Sequence, residues 1–311
     1  MSFPGILTRG EFATGIILRS IRINNNYLLV ESCDIAQEQE FKSAHYLQAG
    51  PGLSITNIGA KKFSGNIKCP VRVNSSGQLD DAITALLNHA QNPISSITID
   101  TNHVLSHFNL TAESEITDDN RLISLDSVIV KSLSLSVNDG GIVSLDADFE
   151  GMVDSRTDYV PVAPVNHLGR PIGWGDCHIY RQESAMRTVT KFSLKLTNKI
   201  ETPVFLMPGN LAFASRDDQI QLVGISEISW TGDFEEIVRT GADQYTFIHG
   251  GYKVQDYLTI EIGPIKAVVP VTMYQKASMP LTSGLLKRST KWEAVMAPEL
   301  PLSPNGLFTI T

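Results

Sequence analysis

Three cysteines in 311 residues, Cys33, Cys69 and Cys177, are too few and too far apart for a disulfide framework, and none has CxxC spacing for a structural zinc. Reduced, buried thiols in a chain made in a cytosol are the expectation. Long apolar runs are missing too. No window approaches the ~18 residues of a membrane-spanning helix. Met1-Ser2-Phe3-Pro4-Gly5 shows no basic stretch leading into an apolar one, so neither a membrane partner nor a secretory leader is expected. Basic charge is in deficit, with 25 Lys and Arg against 33 Asp and Glu and a net charge of −8. That balance excludes a tight nucleic-acid binder resting on phosphate contacts, but not a surface past which DNA slides. There is no GxSxG, GxGxxG, P-loop or HExxH motif, and no catalytic, cofactor or metal residue is expected.

What the chain has is period-two alternation. Residues 17–23 alternate and meet the turn tract Asn24-Asn25-Asn26. Residues 128–137 read VIVKSLSLSV, which by simple alternation places Val128, Val130, Ser132, Ser134 and Ser136 on one face. Asn138-Asp139-Gly140-Gly141 follows, a turn of residues tolerant of positive φ, and a second alternating run covers 142–152, which makes a hairpin. Further strands are expected at 62–73, 96–100, 108–112, 189–196, 219–238, 257–263, 266–274 and 291–296. One helix is legible. Leu79, Ile83, Leu86, Leu87 and Ala90 form a single stripe, Asp80 and Asp81 favour its N-terminus, and Pro93 closes it. The expected class is mainly β (α+β).

Two pairs of segments match in order. Ser20-Ile21-Arg22-Ile23-Asn24-Asn25 parallels Ser193-Leu194-Lys195-Leu196-Thr197-Asn198, and Phe63-Ser64-Gly65-Asn66-Ile67 parallels Trp230-Thr231-Gly232-Asp233-Phe234. Ile21 then corresponds to Leu194 and Phe63 to Trp230. Residues 128–137 and 142–151 would correspond to 257–263 and 266–274. The helix has no clear second counterpart, 244–250 being the only candidate. The expectation is two tandem antiparallel β-sandwich or barrel domains, residues 1–160 with a helix near 79–91 and residues 188–311. A turn-rich linker at 161–187 would join them.

These segments, with the hairpin LSLSVNDGGIVSLDADFEG and the stretch Gly173-Trp174-Gly175-Asp176 ahead of FSLKLTN, resemble the bacteriophage tail tube proteins. The resemblance implies small β domains flanked by a helix, six to a ring, in rings that stack into a channel for genome delivery. For a two-domain chain it implies a homo-oligomeric ring of three, other tail proteins as partners, and a place in the virion. A baseplate, hub or tube-initiating protein using the same domain, or a host-binding β-sandwich module, is the alternative.

Two strands alternate acidic against apolar. Asp146, Asp148 and Glu150 oppose Leu145, Ala147 and Phe149, and Glu227, Asp233 and Glu235 oppose Ile228, Trp230 and Phe234. These six acids are the candidates for a lumen wall past which DNA moves without specific binding. His103 and His107, four apart, read as a loop pair, and adjacent acids such as Glu235-Glu236 must point to opposite faces of a strand.

Overall fold

The computed structural model describes residues 16–23, 26–45, 54–90, 108–116, 119–151, 153–158, 169–201, 224–238, 256–278, 286–294 and 308–310. Among them the protein is mainly β with one α-helix, and its strand pairs are antiparallel. In chain order the elements are β1 (Ile16–Ile23), β2 (Asn26–Leu28), β3 (Ser32–His45), β4 (Ser54–Pro70), β5 (Arg72–Val73), α1 (Asp81–Ala90), β6 (Phe108–Ile116), β7 (Asp119–Asn138), β8 (Ser144–Gly151) and β9 (Val153–Asp158). They continue with β10 (Arg170–Pro171), β11 (Cys177–Arg181), β12 (Ser184–Ala185), β13 (Val189–Glu201), β14 (Gly224–Ile237), β15 (Asp256–Ile262), β16 (Ile265–Ser278), β17 (Lys287–Ala294) and β18 (Phe308–Ile310).

Helix α1 forms where the apolar stripe places it. Asp80 caps it, its Oδ1 accepting the Ala82 N–H at 3.0 Å while its carbonyl accepts the Thr84 N–H at 2.8 Å. Ala82, Ile83, Leu86, Leu87 and Ala90 are buried, and the helix packs on β7, β1 and β2. Replacing Asp80 with Ala is expected to destabilise the fold by about 1 kcal/mol, read as a lowered midpoint in chemical denaturation.

The β7–β8 hairpin turns at Asn138–Gly141, where Gly140 takes φ +69°. Simple alternation fails inside β7, however. The register slips between Val130 and Ser132, so one extra residue, Lys131, is inserted. A bulge reverses the parity of everything beyond it. Val130 therefore shares the buried side with Leu133, Leu135 and Val137, not the side of Ser134 and Ser136.

β7 joins two groups of strands. Its first half pairs β6 and β9, and β6 leads on to β1 and β2. Its second half pairs β8 and β13. Through that half runs the path β3-β4-β8-β7-β13-β14-β17-β16, extended beyond β16 by β15, β11 and β12. The stretches β3-β4-β8-β7 and β13-β14-β17-β16 have the same order relative to the chain: first, second, fourth, third.

Three details repeat with that order. Gly65 on β4 stands opposite Phe149 on β8, and Gly232 on β14 stands opposite Trp292 on β17. At each glycine a Cβ would collide with that aromatic ring and with a backbone oxygen of the preceding strand. The residue facing Phe149 across the hairpin is Val130 and the one facing Trp292 is Tyr274; the register slips immediately after each.

Phe63 and Trp230 thus hold equivalent places, two residues before these glycines. The other correspondences shift. Ile21 lies in β1, which does not pair β4, whereas Leu194 pairs Gly232 directly; the residue that pairs Gly65 is Ile35 on β3. Likewise β7 and β8 correspond to β16 and β17, not to β15 and β16. Residues 170–185, read as linker, instead form β10 against β5, a short 3-10 turn at Trp174–Asp176, and β11 against β15. Residues 96–100 and 244–250 lie outside the described residues.

Candidate functional site

From β3 to β17 the path has one dry face and one wet face. Ile67, Cys69, Leu145, Phe149, Leu133, Leu135, Leu194, Leu196, Phe234 and Trp292 are buried on the first. On the second, direct cross-strand partners run Asn66↔Asp148, Ser132↔Asp148, Ser193↔Ser136, Ser193↔Asp233 and Asp233↔Lys291, without interruption at the β7–β13 junction. The junction itself is pinned by Asn198 on β13. Its amide donates to the carbonyls of Ala90 at 3.0 Å and Val130 at 2.9 Å, tying the end of α1 and the β7 bulge to the next strand.

Of the six acids expected to share a wall, Asp146, Asp148, Glu150, Asp233 and Glu235 lie on this polar face. The side chain of Glu227 is outside the described ones. The face is less acidic than expected. Lys68 stands opposite Asp146, Lys191 opposite Glu235 and Lys291 opposite Asp233, with Lys131 3.9 Å from Glu150. Register decides these pairings, and no reading of single strands can find them.

Several carboxylates are held by neighbours. Asn66 donates to both Asp146 and Asp148, Ser132 donates to Asp148 at 2.7 Å, and Ser193 donates to Asp233. Burial works to raise the Asp148 carboxyl, but the hydrogen bonds from Ser132 and Asn66, with Lys195 and Lys131 nearby, hold it below its ordinary value. Glu235 is lowered chiefly by its hydrogen bond from Lys287, at 2.8 Å, and also by Thr190 at 2.9 Å. Both therefore stay ionised at neutral pH. Its neighbour Glu236 points to the dry face and pairs with Arg288, as strand geometry requires.

In the 3-10 turn, whose Trp174 ring lies 6.3 Å from that of the buried Phe192, Asp176 accepts hydrogen bonds from both terminal nitrogens of Arg170, at 2.7 and 3.0 Å, and from the Gly173 N–H at 3.0 Å. The Arg170 hydrogen bond in particular lowers its carboxyl to about 2. A depressed acid stabilises the fold above the ordinary carboxylate range and loses that contribution as pH falls toward its folded value. In Arg170→Ala the Asp176 titration, followed by NMR, is expected to move up toward the ordinary aspartate range near ~3.9.

All three thiols are free, and burial pushes each up to about 12, so none is a ready nucleophile. Among the described residues no group of three or more His, Cys, Asp or Glu is placed to hold a metal ion, and no helix is long and apolar enough to cross a membrane. His103 and His107 lie outside the described residues. An open depression of about 350 Å³ sits over Gly65, between Asp34, Asn66, Lys131 and Asp148. Its lining offers hydrogen bonds and charges of both signs. No protein-family model matches this chain, and no curated protein sequence matches it.

Proposed function

We propose that this chain is a structural subunit of a bacteriophage tail tube. On this reading it comprises two tandem units of one β domain, and three copies close into a ring that stacks on further rings, with DNA passing through the lumen. The observation that carries the reading is the polar face running from β3 to β17 across the join between two equally ordered groups of strands. A sheet with one face dry and the other wet suits a wall between protein and a water-filled channel. Closing the sheet also removes the exposed edges that would otherwise invite uncontrolled pairing.

The dimensions are compatible. Three copies of an eight-strand path place about 24 strands round the ring; at ~4.8 Å between strands and a tilt of about 40°, the backbone circle is roughly 50 Å across. That leaves room for a DNA duplex after side chains are counted. The alternation of Asp and Glu with Lys and Ser along the wall gives DNA no continuous basic track to adhere to.

Mass measurement of the purified full chain across concentration tests the stoichiometry. A species of three chains, or multiples of three, is expected. A particle that stops at one closed ring under every salt condition would favour a baseplate, hub or initiator role, and a monomer binding a glycan over Gly65 would favour a host-binding module.

A further inference from the structure

The repeat of strand order carries a residue-level consequence, which rests on the ring reading above and gives its junction a register. Within one chain, the second half of β7 pairs β8 on one edge and β13 on the other. In the corresponding strand β16, residues Lys276–Ser278 pair β17 on one edge, and among the described residues no strand occupies the other. In the strand corresponding to β13, which is β3, one edge pairs β4 and the other has no described partner. One chain therefore presents the two halves of a junction that it already makes internally, at opposite ends of the same sheet path.

We propose that β3 of one copy pairs antiparallel with the second half of β16 of the next copy, in the register that β13 and β7 use within the chain. The register follows from two anchors. Leu194 and Ile35 are the residues that pair the glycines under the aromatic rings, so Lys195 corresponds to Ala36. Val130 and Tyr274 face those rings and are each followed by the same bulge, so Ser134 corresponds to Ser278. Because Lys195 pairs Ser134, Ala36 stands opposite Ser278 of the neighbouring copy. Gln37 then faces Ala277, and Glu38 faces Lys276, an opposite-charge pair.

On the dry face Cys33 and Ile35 are only half-buried, whereas their counterparts Phe192 and Leu194 on the internal strand β13 are fully buried, as an edge awaiting a partner would leave them. Edge strands left in water present rows of N–H and C=O groups that another chain can pair. A contact between two different edges is heterologous, and closes into a ring when the rotation per copy divides the circle.

The test uses the full chain carrying Ala36→Cys and Ser278→Cys, assembled and then treated with a thiol oxidant. Directly opposed residues on antiparallel strands lie about 4.5–5.5 Å apart at Cα, within disulfide reach. Peptide mapping separates the expected link from any through Cys33, Cys69 or Cys177. The expected result is a ladder of covalent oligomers whose cross-linked peptides join positions 36 and 278, absent from either single variant. A second pair of variants reads the same register without a covalent bond. Glu38→Lys alone is expected to weaken assembly roughly two- to fivefold per junction, and Lys276→Glu in the same chain to restore it. Rings seen by microscopy without a 36–278 link, and without charge-swap rescue, would overturn the junction while leaving the ring reading standing. A 36–278 link in open chains that never close would keep the junction and overturn the ring. A chain that stays monomeric and unlinked at high concentration would overturn the junction.

Discussion

Glu236→Ala is expected to destabilise the protein by about 1–3 kcal/mol, because the largely covered Arg288 guanidinium loses its hydrogen bonds to that carboxylate. Both side chains are only 11% exposed, and Arg288 reaches the same Glu236 oxygen through Nε at 2.8 Å and through a second guanidinium nitrogen. The pair bridges β14 and β17, where Glu236 and Arg288 are direct cross-strand partners, on the side that buries Phe234 and Trp292. Replacing both residues together with Leu and Met is expected to recover most of the loss, since both charges then leave the covered face together. Urea denaturation of the two single variants and the double variant measures this directly. Equal losses in the double and single variants would show that the pair's role is packing and not charge.

On the proposed tail-tube reading, turning Asp233 and Glu235 both to Lys is expected to leave the fold and the rings in place and to slow DNA passage roughly tenfold or more at low salt, with the effect fading as salt rises. The sheet's dry face, with Phe234 and Trp292, is untouched by the change. What changes is the wet face. Asp233 now stands opposite Lys291 and Glu235 is bonded by Lys287, so removing the two acids exposes existing cations as well as adding new ones. Repeated round a ring, these make a basic band where the wild-type wall alternates in sign. Ejection timed at two salt concentrations from particles built with the double variant measures it. Equal rates at both salts would place these side chains away from the DNA.

The elements that declared themselves in the sequence were those with a complete local signature. Helix α1 had its stripe and its acidic cap, and the β7–β8 hairpin had alternation on both sides of Asn-Asp-Gly-Gly. Strand β3 was not foreseen, because its few apolar residues, Cys33, Ile35, Ala36, Phe41 and Ala44, keep no regular alternation in a mostly polar run; a strand at a sheet edge needs little apolar surface. That same strand is the true counterpart of β13, which is why letter similarity drew Ile21 toward Leu194 and missed Ile35. Residues 177–181 were hidden among prolines and glycines and read as linker, yet they pair β15 through Ile179 and its neighbours. Parity along β7 was misread for a different reason: a bulge has no sequence signature of its own unless glycine marks it, and Lys131 is not glycine. The acids of the proposed wall were legible one strand at a time. Their lysine partners were not, since each partnership depends on how two distant strands align.

The most direct measurement is electron microscopy of the purified full chain as its concentration is raised. The account predicts rings of three chains with six similar lobes, stacking open-ended into tubes whose wall facing the channel carries Asp148 and Asp233. A stable monomer at every concentration and salt, or a ring in which those side chains face outward, would contradict it.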